Sequence, residues 1–255
     1  MDGTFSIINQ YKDNRIRVLQ NEKNLGLAAS LNKGLHIVEG KYMARMDADD
    51  ISHIQRLEKQ HNFLEQRPDI DICGTSMQLF GVEDGVSGQD LTEDADIKAG
   101  LVWKSTVQHG TVMVRMETIF KNNLFYDESI RAGQDWKYWY SVKDYVRFAS
   151  LKDPLYFYRR GDQNITIRFR STSQKRAAAM YKIIFDDMEL SYTEYDLQLH
   201  QFAASMFSLQ PSKKIILDAK RWIEMLVAHN KTIKKFNVQA FEKAANKHWD
   251  QLFYH

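Results

Sequence analysis

The chain has 255 residues, 44% hydrophobic and 27% charged, with 35 Lys and Arg against 33 Asp and Glu for a formal charge of +2. That composition suits a globular protein with a sizeable core and lacks the basic excess of a dedicated nucleic-acid binder. The single cysteine, Cys73, excludes an intrachain disulfide and fits a reducing, cytoplasmic compartment; there is no run of about 18 apolar residues to span a membrane, and MDGTFSIINQYKDN at the start lacks the blocks of a signal peptide.

In chain order, RIRVL (15–19) is predicted as a short strand with Ile16 and Val18 on one face. NEKNLG follows as a turn. Leu27, Leu31, Leu35 and Val38 then recur at helical spacing up to Gly40, a helix stop. KYMARM reads as a strand covered on both sides, as in a parallel sheet. Asp47, Asp49 and Asp50 lie at its carboxyl end. Ser52 and Gln55 form a capping box for a helix with Ile54, Leu57 and Leu64 as its stripe, ending ahead of Pro68. IDICGTSMQLF (70–80) is the next strand. Strand, helix, strand, helix, strand in succession predicts an α/β sheet.

Residues 81–108 read as a long polar loop and HGTVMVR (109–115) as a strand. Gln134–Val142 reads as a helix, and RFASL and PLYFYRR as two further strands. From about Ser171 the apolar stripes are helical: Ala177, Met180, Tyr181, Ile184 and Met188, then Ile215, Ala219, Trp222 and Leu226. Residues 168–255 hold 14 Lys and Arg against 9 Asp and Glu. Such a charge excess is either a solvated helical face or a contact for an anionic membrane surface or lipid-linked acceptor.

The carboxylates of ARMDADDI carry the chemistry. Ligands of open α/β sheets bind beyond the carboxyl ends of the strands, and small Ala48 lets Asp47 and Asp49 reach a common point. Mg²⁺ or Mn²⁺ takes one or two carboxylates and completes its shell with phosphate oxygens and water. A D-x-D at a strand end therefore reads as a bracket for a metal and a diphosphate. The same residues also suit a helix N-terminus.

Three blocks in order, NLGLAASLNKGL (24–35), GKYMARMDADDIS (40–52) and RLEKQHNFLEQRPDID (56–71), resemble the family 2 glycosyltransferases of the GT-A fold. HGTVMVR, GQDWKYW (133–139) and YRRGDQNIT (158–166) resemble further family segments, with Gln134 where Glu is usual. The resemblance covers residues 2–166. It implies a GT-A, Rossmann-like nucleotide-diphospho-sugar transferase sheet (1–168) followed by an α-helical segment (169–255). It also implies transfer of a sugar from a UDP- or GDP-sugar to a glycan or lipid-linked acceptor hydroxyl, probing surface polysaccharide synthesis as the setting. On this resemblance Asp47 and Asp49 hold Mn²⁺ or Mg²⁺, Asp2, Arg45 and Asp47 contact the donor, and Asp135 is the general base of an inverting reaction. His109 and Trp136 are candidates for the acceptor site. The basic C-terminal helices are candidates for contact with the inner face of a membrane.

Two features depart from the family pattern. The chain opens at MDGT, as though a D-D-G-S-like turn had been cut through its first Asp, so an N-terminal strand and helix are expected to be missing and donor affinity reduced. Gly161 stands where many relatives carry a His near the metal. A non-catalytic remnant acting as a binding or scaffold module is the alternative. A nucleotidyltransferase is a third reading, although no Gly-rich triphosphate loop is present.

Overall fold

The computed structural model describes residues 3–88, 90–131, 133–161, 170–204 and 209–252. Among them one sheet comprises β1 (Tyr42–Ala44), β2 (Ile51–Ser52), β3 (Ile72–Gly81), β4 (Gly85–Ser87), β5 (Met113–Arg115) and β6 (Phe148–Arg160). The order is β1-β5-β3-β6-β2, with β4 paired to β3. The spine is the parallel pair β3–β6, running from Ile72 opposite Phe148 to Gly81 opposite Arg160. Every other pairing is antiparallel. RFASL and PLYFYRR thus belong to one strand. Thr75 faces Leu151 and Ser76 faces Pro154, so Lys152 and Asp153 bulge out exposed. The bulge admits a proline, which cannot donate to a ladder.

Ahead of and between the strands lie α1 (Thr4–Ile8), α2 (Leu27–Leu35), α3 (Arg56–Gln66), α4 (Asp94–Gly100), α5 (Met116–Lys121) and α6 (Gln134–Val142). Then follow α7 (Arg170–Asp187), α8 (Glu194–Ala203), α9 (Lys213–Ile233) and α10 (Val238–Gln251). Successive β3 residues face opposite sides of the sheet, as the pleat requires. Cys73 joins Leu64, Ile70, Met113 and Ala149 in a small cluster under α3. Ile72 joins the main core with Val114, Trp139 and Phe148.

That main core continues into the C-terminal helices through Tyr181, Phe185, Leu197, Trp222 and Phe241. Their starts are fixed by side-chain caps, which satisfy free N–H groups. Thr193 and Asp196 form a capping box, Ser212 accepts from the Ile215 N–H, and Asn237 accepts from the Ala240 N–H. Trp103, fully buried, keys the helices to the sheet. Its ring is stacked between His200 at 4.4 Å and His248 at 4.6 Å, and its carbonyl accepts the Tyr181 hydroxyl at 2.7 Å. His200 Nδ1 accepts the Trp222 indole N–H at 3.2 Å, so its Nε2 carries the proton donated to the Val102 carbonyl. Burial pushes the His200 pKa down to about 3, which keeps this neutral tautomer.

Several sequence expectations are corrected. RIRVL forms no strand, and Ile16, Val18 and Leu19 are exposed; among the described residues no strand supplies it a ladder. KYMARM contributes only the three residues of β1, an edge strand pairing β5 alone, and Ala44 is exposed rather than covered. Ser52 sits in β2, and α3 starts after Gln55 without a side-chain cap. Ile54 and Leu57 are exposed, and α3 instead buries Arg56, Gln60 and Leu64. The 81–108 stretch contains β4 and α4. The predicted end of α3 and start of α6 hold: Pro68 keeps Arg67 out of the helical region, and Gly133 can take the left-handed φ of 75° just ahead of α6. No described helix is long and apolar enough to cross a membrane.

Candidate active site

The acidic loop after β1 is held from beneath by a buried polar network. Arg56 donates to the carbonyls of Arg45, at 2.7 Å, and Val112, at 3.2 Å. It also donates to Gln60 Oε1, and Gln60 passes its amide N–H groups to the Cys73 and Thr111 carbonyls. Arg56 lies over the Tyr156 ring. Its charge has no carboxylate partner among the described residues, and burial lowers its pKa. Carbonyl dipoles and an aromatic face therefore do the neutralising.

Tyr156 on β6 is the pin of the loop. Its hydroxyl accepts the Asp47 backbone N–H at 3.0 Å and donates to Asp50 Oδ2 at 2.7 Å. Asp50 Oδ1 accepts the Arg159 N–H at 2.7 Å, and Arg159 Nε donates to the Asp49 carbonyl. Asp50 is buried and works as a tie between loop and strand rather than as a helix cap. Desolvation raises its pKa, against the pull of the Arg159 N–H and the Tyr156 hydroxyl. Gly110 in HGTVMVR is explained here, since a Cβ at that position would stand 2.4 Å from the Tyr156 hydroxyl. Tyr156→Phe removes two hydrogen bonds and leaves a buried carboxylate short of a donor. A loss of about 1–3 kcal/mol is expected, read from urea denaturation; an unmoved midpoint would show that the hydroxyl holds nothing.

Arg45 donates both guanidinium nitrogens to the two oxygens of Asp47, in the planar fork that suits a carboxylate. Asp49, two residues on, is exposed, and its carboxylate makes no hydrogen bond or ion pair among the described residues. Among those residues no group of three or more His, Cys, Asp or Glu is arranged to hold a metal ion. The donor set fits a hard ion that takes one or two carboxylates and completes its shell from a diphosphate and water. It does not fit a cage made by protein alone.

Asp135 sits in the first turn of α6, whose N-cap Gly133 has the left-handed φ of 75° that starts the helix abruptly. Its Oδ2 accepts the Ser105 hydroxyl at 3.4 Å. Burial raises the Asp135 pKa, against the Trp136 and Asp135 backbone N–H groups, the Ser105 hydroxyl and the charge of Arg45. Arg45 thus pairs with Asp47 while its field reaches Asp135, His109 and Tyr126. His109 Nε2 lies 2.7 Å from the Tyr126 hydroxyl, and burial pushes its pKa down to about 3, leaving it neutral. Trp136 is buried and donates its indole N–H to the Leu101 carbonyl at 2.8 Å. Asp2 and residues 162–166 of the last block lie outside the described residues. Tyr156, Tyr126, Arg56 and Ser105 were not singled out from the sequence; the alternation of PLYFYRR was the one signal for Tyr156.

A mixed sheet with helices C-terminal to it is a GT-A-like arrangement. The family model for glycosyl transferase family 2 matches residues 1–131, more than half of the chain, and the protein belongs to that family. It is similar to the uncharacterized glycosyltransferase MJ1057 of Methanocaldococcus jannaschii, 36% identical over 156 residues, which cover 59% of this chain and 52% of that protein. It is also similar to the amylovoran biosynthesis glycosyltransferase AmsE of Erwinia amylovora, 42% identical over 59 residues, 23% of this chain and 22% of that one. The chain spans about half the length of the curated relatives that it matches over 156 and 172 residues. The crystal structure of S. aureus TarS 1-349 in complex with UDP-GlcNAc superposes with a TM-score of 0.60 at 18% identity, covering 98% of this chain and 77% of that one. That likeness is one of fold.

Proposed function

We propose that the protein transfers a sugar from a nucleotide-diphosphate donor to an acceptor hydroxyl, with inversion at the anomeric carbon. Asp135 accepts the hydroxyl proton as the acceptor oxygen bonds to that carbon, and the bond to the diphosphate breaks with the electron pair leaving on the nucleotide. The observation that carries this reading is the setting of Asp135. A carboxylate whose pKa is raised by burial is a stronger base than an exposed one, and it stands in the field of the arginine that holds the acidic loop. The Ser105 hydroxyl orients that carboxylate, and the charge of Arg45 moderates its pKa.

Asp47 and Asp49 would hold Mn²⁺ or Mg²⁺, which supplies Lewis-acid stabilisation of the departing diphosphate. The residues prepare for this in two ways. The Tyr156 and Asp50 tie fixes the loop backbone, and Arg45 aims Asp47 through its paired hydrogen bonds. TarS, described in complex with UDP-GlcNAc, supports a UDP-sugar as the first donor to try, and AmsE supports polysaccharide synthesis as the setting. A cytoplasmic reaction, with the basic C-terminal helices (169–255) near a membrane's inner face, completes the reading.

Calorimetric titration of UDP-sugars and GDP-sugars with and without Mn²⁺ tests it. Binding should require the metal and weaken at least about tenfold, roughly 1.4 kcal/mol, in Asp49→Ala. Unaltered metal-dependent binding in that variant would remove Asp49 from the metal site. Metal-dependent binding with no transfer to any hydroxyl would favour the binding-module alternative.

A further inference from the structure

Asp47 gives both of its oxygens to one partner. Both accept from the guanidinium of Arg45, in the paired geometry that equally suits phosphate. The Arg45 side chain is only 8% exposed, against 37% for Asp47, so the pair joins a buried cation to a more open carboxylate. The backbone on either side of Met46 is pinned. The Arg45 N–H donates to the Val112 carbonyl at 3.0 Å, the Arg45 carbonyl accepts from Arg56 at 2.7 Å, and the Asp47 N–H donates to the Tyr156 hydroxyl. A new partner for Asp47 therefore cannot be met by moving the main chain. The guanidinium has to move instead.

A divalent cation drawn to Asp47 competes with those two hydrogen bonds and approaches a like charge. Breaking a buried ion pair leaves its other member without a counter-charge, which is strongly unfavourable. The charge of Arg45 also acts on a second buried cation, Arg56, and this adds to the cost of parting the guanidinium from its anion. A diphosphate arriving with the cation removes the obstacle. It supplies oxygens to the metal and offers Arg45 a second anion that fits its fork.

We propose that Arg45 gates the metal site: its paired hydrogen bonds withhold Asp47 from a divalent cation alone and pass to the diphosphate when cation and nucleotide arrive together. Arg45 is thus a positioning residue that couples two ligands, and by linkage each tightens the other by the same factor. The proposal rests on the reading of Asp47 and Asp49 as the bracket for a metal and a diphosphate.

The test follows free Mn²⁺ by electron paramagnetic resonance, with the full chain alone and with saturating UDP, corrected for Mn²⁺ held by UDP in solution. UDP should tighten Mn²⁺ binding to the parent at least about tenfold. Arg45→Met, folded by circular dichroism, should bind Mn²⁺ alone at least about tenfold tighter than the parent, and the advantage given by UDP should shrink by a similar factor. Arg45→Lys keeps the charge without the fork. It should tighten Mn²⁺ alone about threefold, which a pure charge effect would not do. Mn²⁺ alone bound no more tightly by Arg45→Met, or an Arg45→Lys variant that binds as the parent does, overturns the gate. So does a UDP advantage that Arg45→Met leaves whole. The Lys variant decides the question if the Met variant does not fold. The bracket is tested separately on the same samples. No Mn²⁺ binding by the parent even with UDP removes the metal reading and the gate together, whereas UDP-assisted binding with unresponsive Arg45 variants removes the gate alone.

Discussion

Asp135→Asn is expected to lower kcat by about 10²–10⁴-fold, the usual contribution of a positioned general base, with little change in donor binding. The amide keeps the shape and can still meet the Ser105 hydroxyl, but it cannot accept the acceptor's proton. A residual rate within tenfold of the parent would remove Asp135 from the base role. The pH profile gives a second readout. Burial lifts the pKa of Asp135 above the usual carboxylate value, so the parent's rate should climb as pH rises through that raised pKa, and the variant should lose this limb.

The same substitution should stabilise the fold at neutral pH. The folded state holds the Asp135 proton more tightly than the unfolded chain does. The contribution of this group to stability is therefore greatest below the unfolded pKa and is lost as pH rises through the folded one. Asn carries no charge to desolvate, so its advantage over Asp should be larger at pH 8 than at pH 4. Thermal denaturation at the two pH values checks this. A variant less stable than the parent at both would show that the carboxylate is held for structure rather than for chemistry.

Trp103→Ala is expected to cost about 3–5 kcal/mol, the range for deleting a buried aromatic. The ring is fully buried between two imidazoles, and its indole N–H has no hydrogen-bond partner among the described residues. Its contribution comes from stacking and displaced water, with no strong hydrogen bond to set against it. The loss should fall on the junction between sheet and C-terminal helices, where Val102, Trp103, His200, Trp222 and His248 meet. Urea denaturation of the parent should follow one transition by circular dichroism and by fluorescence. In the variant the helical signal should go first. A midpoint unchanged from the parent would mean that the helices are held elsewhere.

The elements that could be read from sequence were those whose cues are local. The run of residues from Gln134 to Val142 marked α6, Pro68 marked the end of α3, and the stripe from Ala177 to Met188 marked α7. The errors came from non-local causes. RIRVL has strand-like residues, yet a strand exists only where a neighbour accepts its hydrogen bonds. Helix α3 was assigned an apolar stripe by counting Ile54 and Leu57, while the face it buries is polar, because Arg56 and Gln60 satisfy carbonyls of Arg45, Cys73, Thr111 and Val112. No periodicity rule expects a buried arginine. The three aspartates stood out by type and spacing, and Asp135 through the resemblance of GQDWKYW to a family segment. Their division of labour did not: Asp50 is a structural tie and Asp47 is paired with Arg45, and both depend on residues that lie far away in the chain or across a turn.

The pairing of β3 with β6 joins Ile72 to Phe148, more than seventy residues apart in the chain. A nascent polypeptide leaving the ribosome therefore makes β3 long before its principal partner exists. The earlier β4 and β5 pair with the opposite edge of β3, so the edge that β6 takes stays open meanwhile. Contacts so distant in sequence slow the search for the native state and prolong the time an apolar strand stays uncovered. Recombinant production should accordingly gain from lower temperature and from chaperone supply.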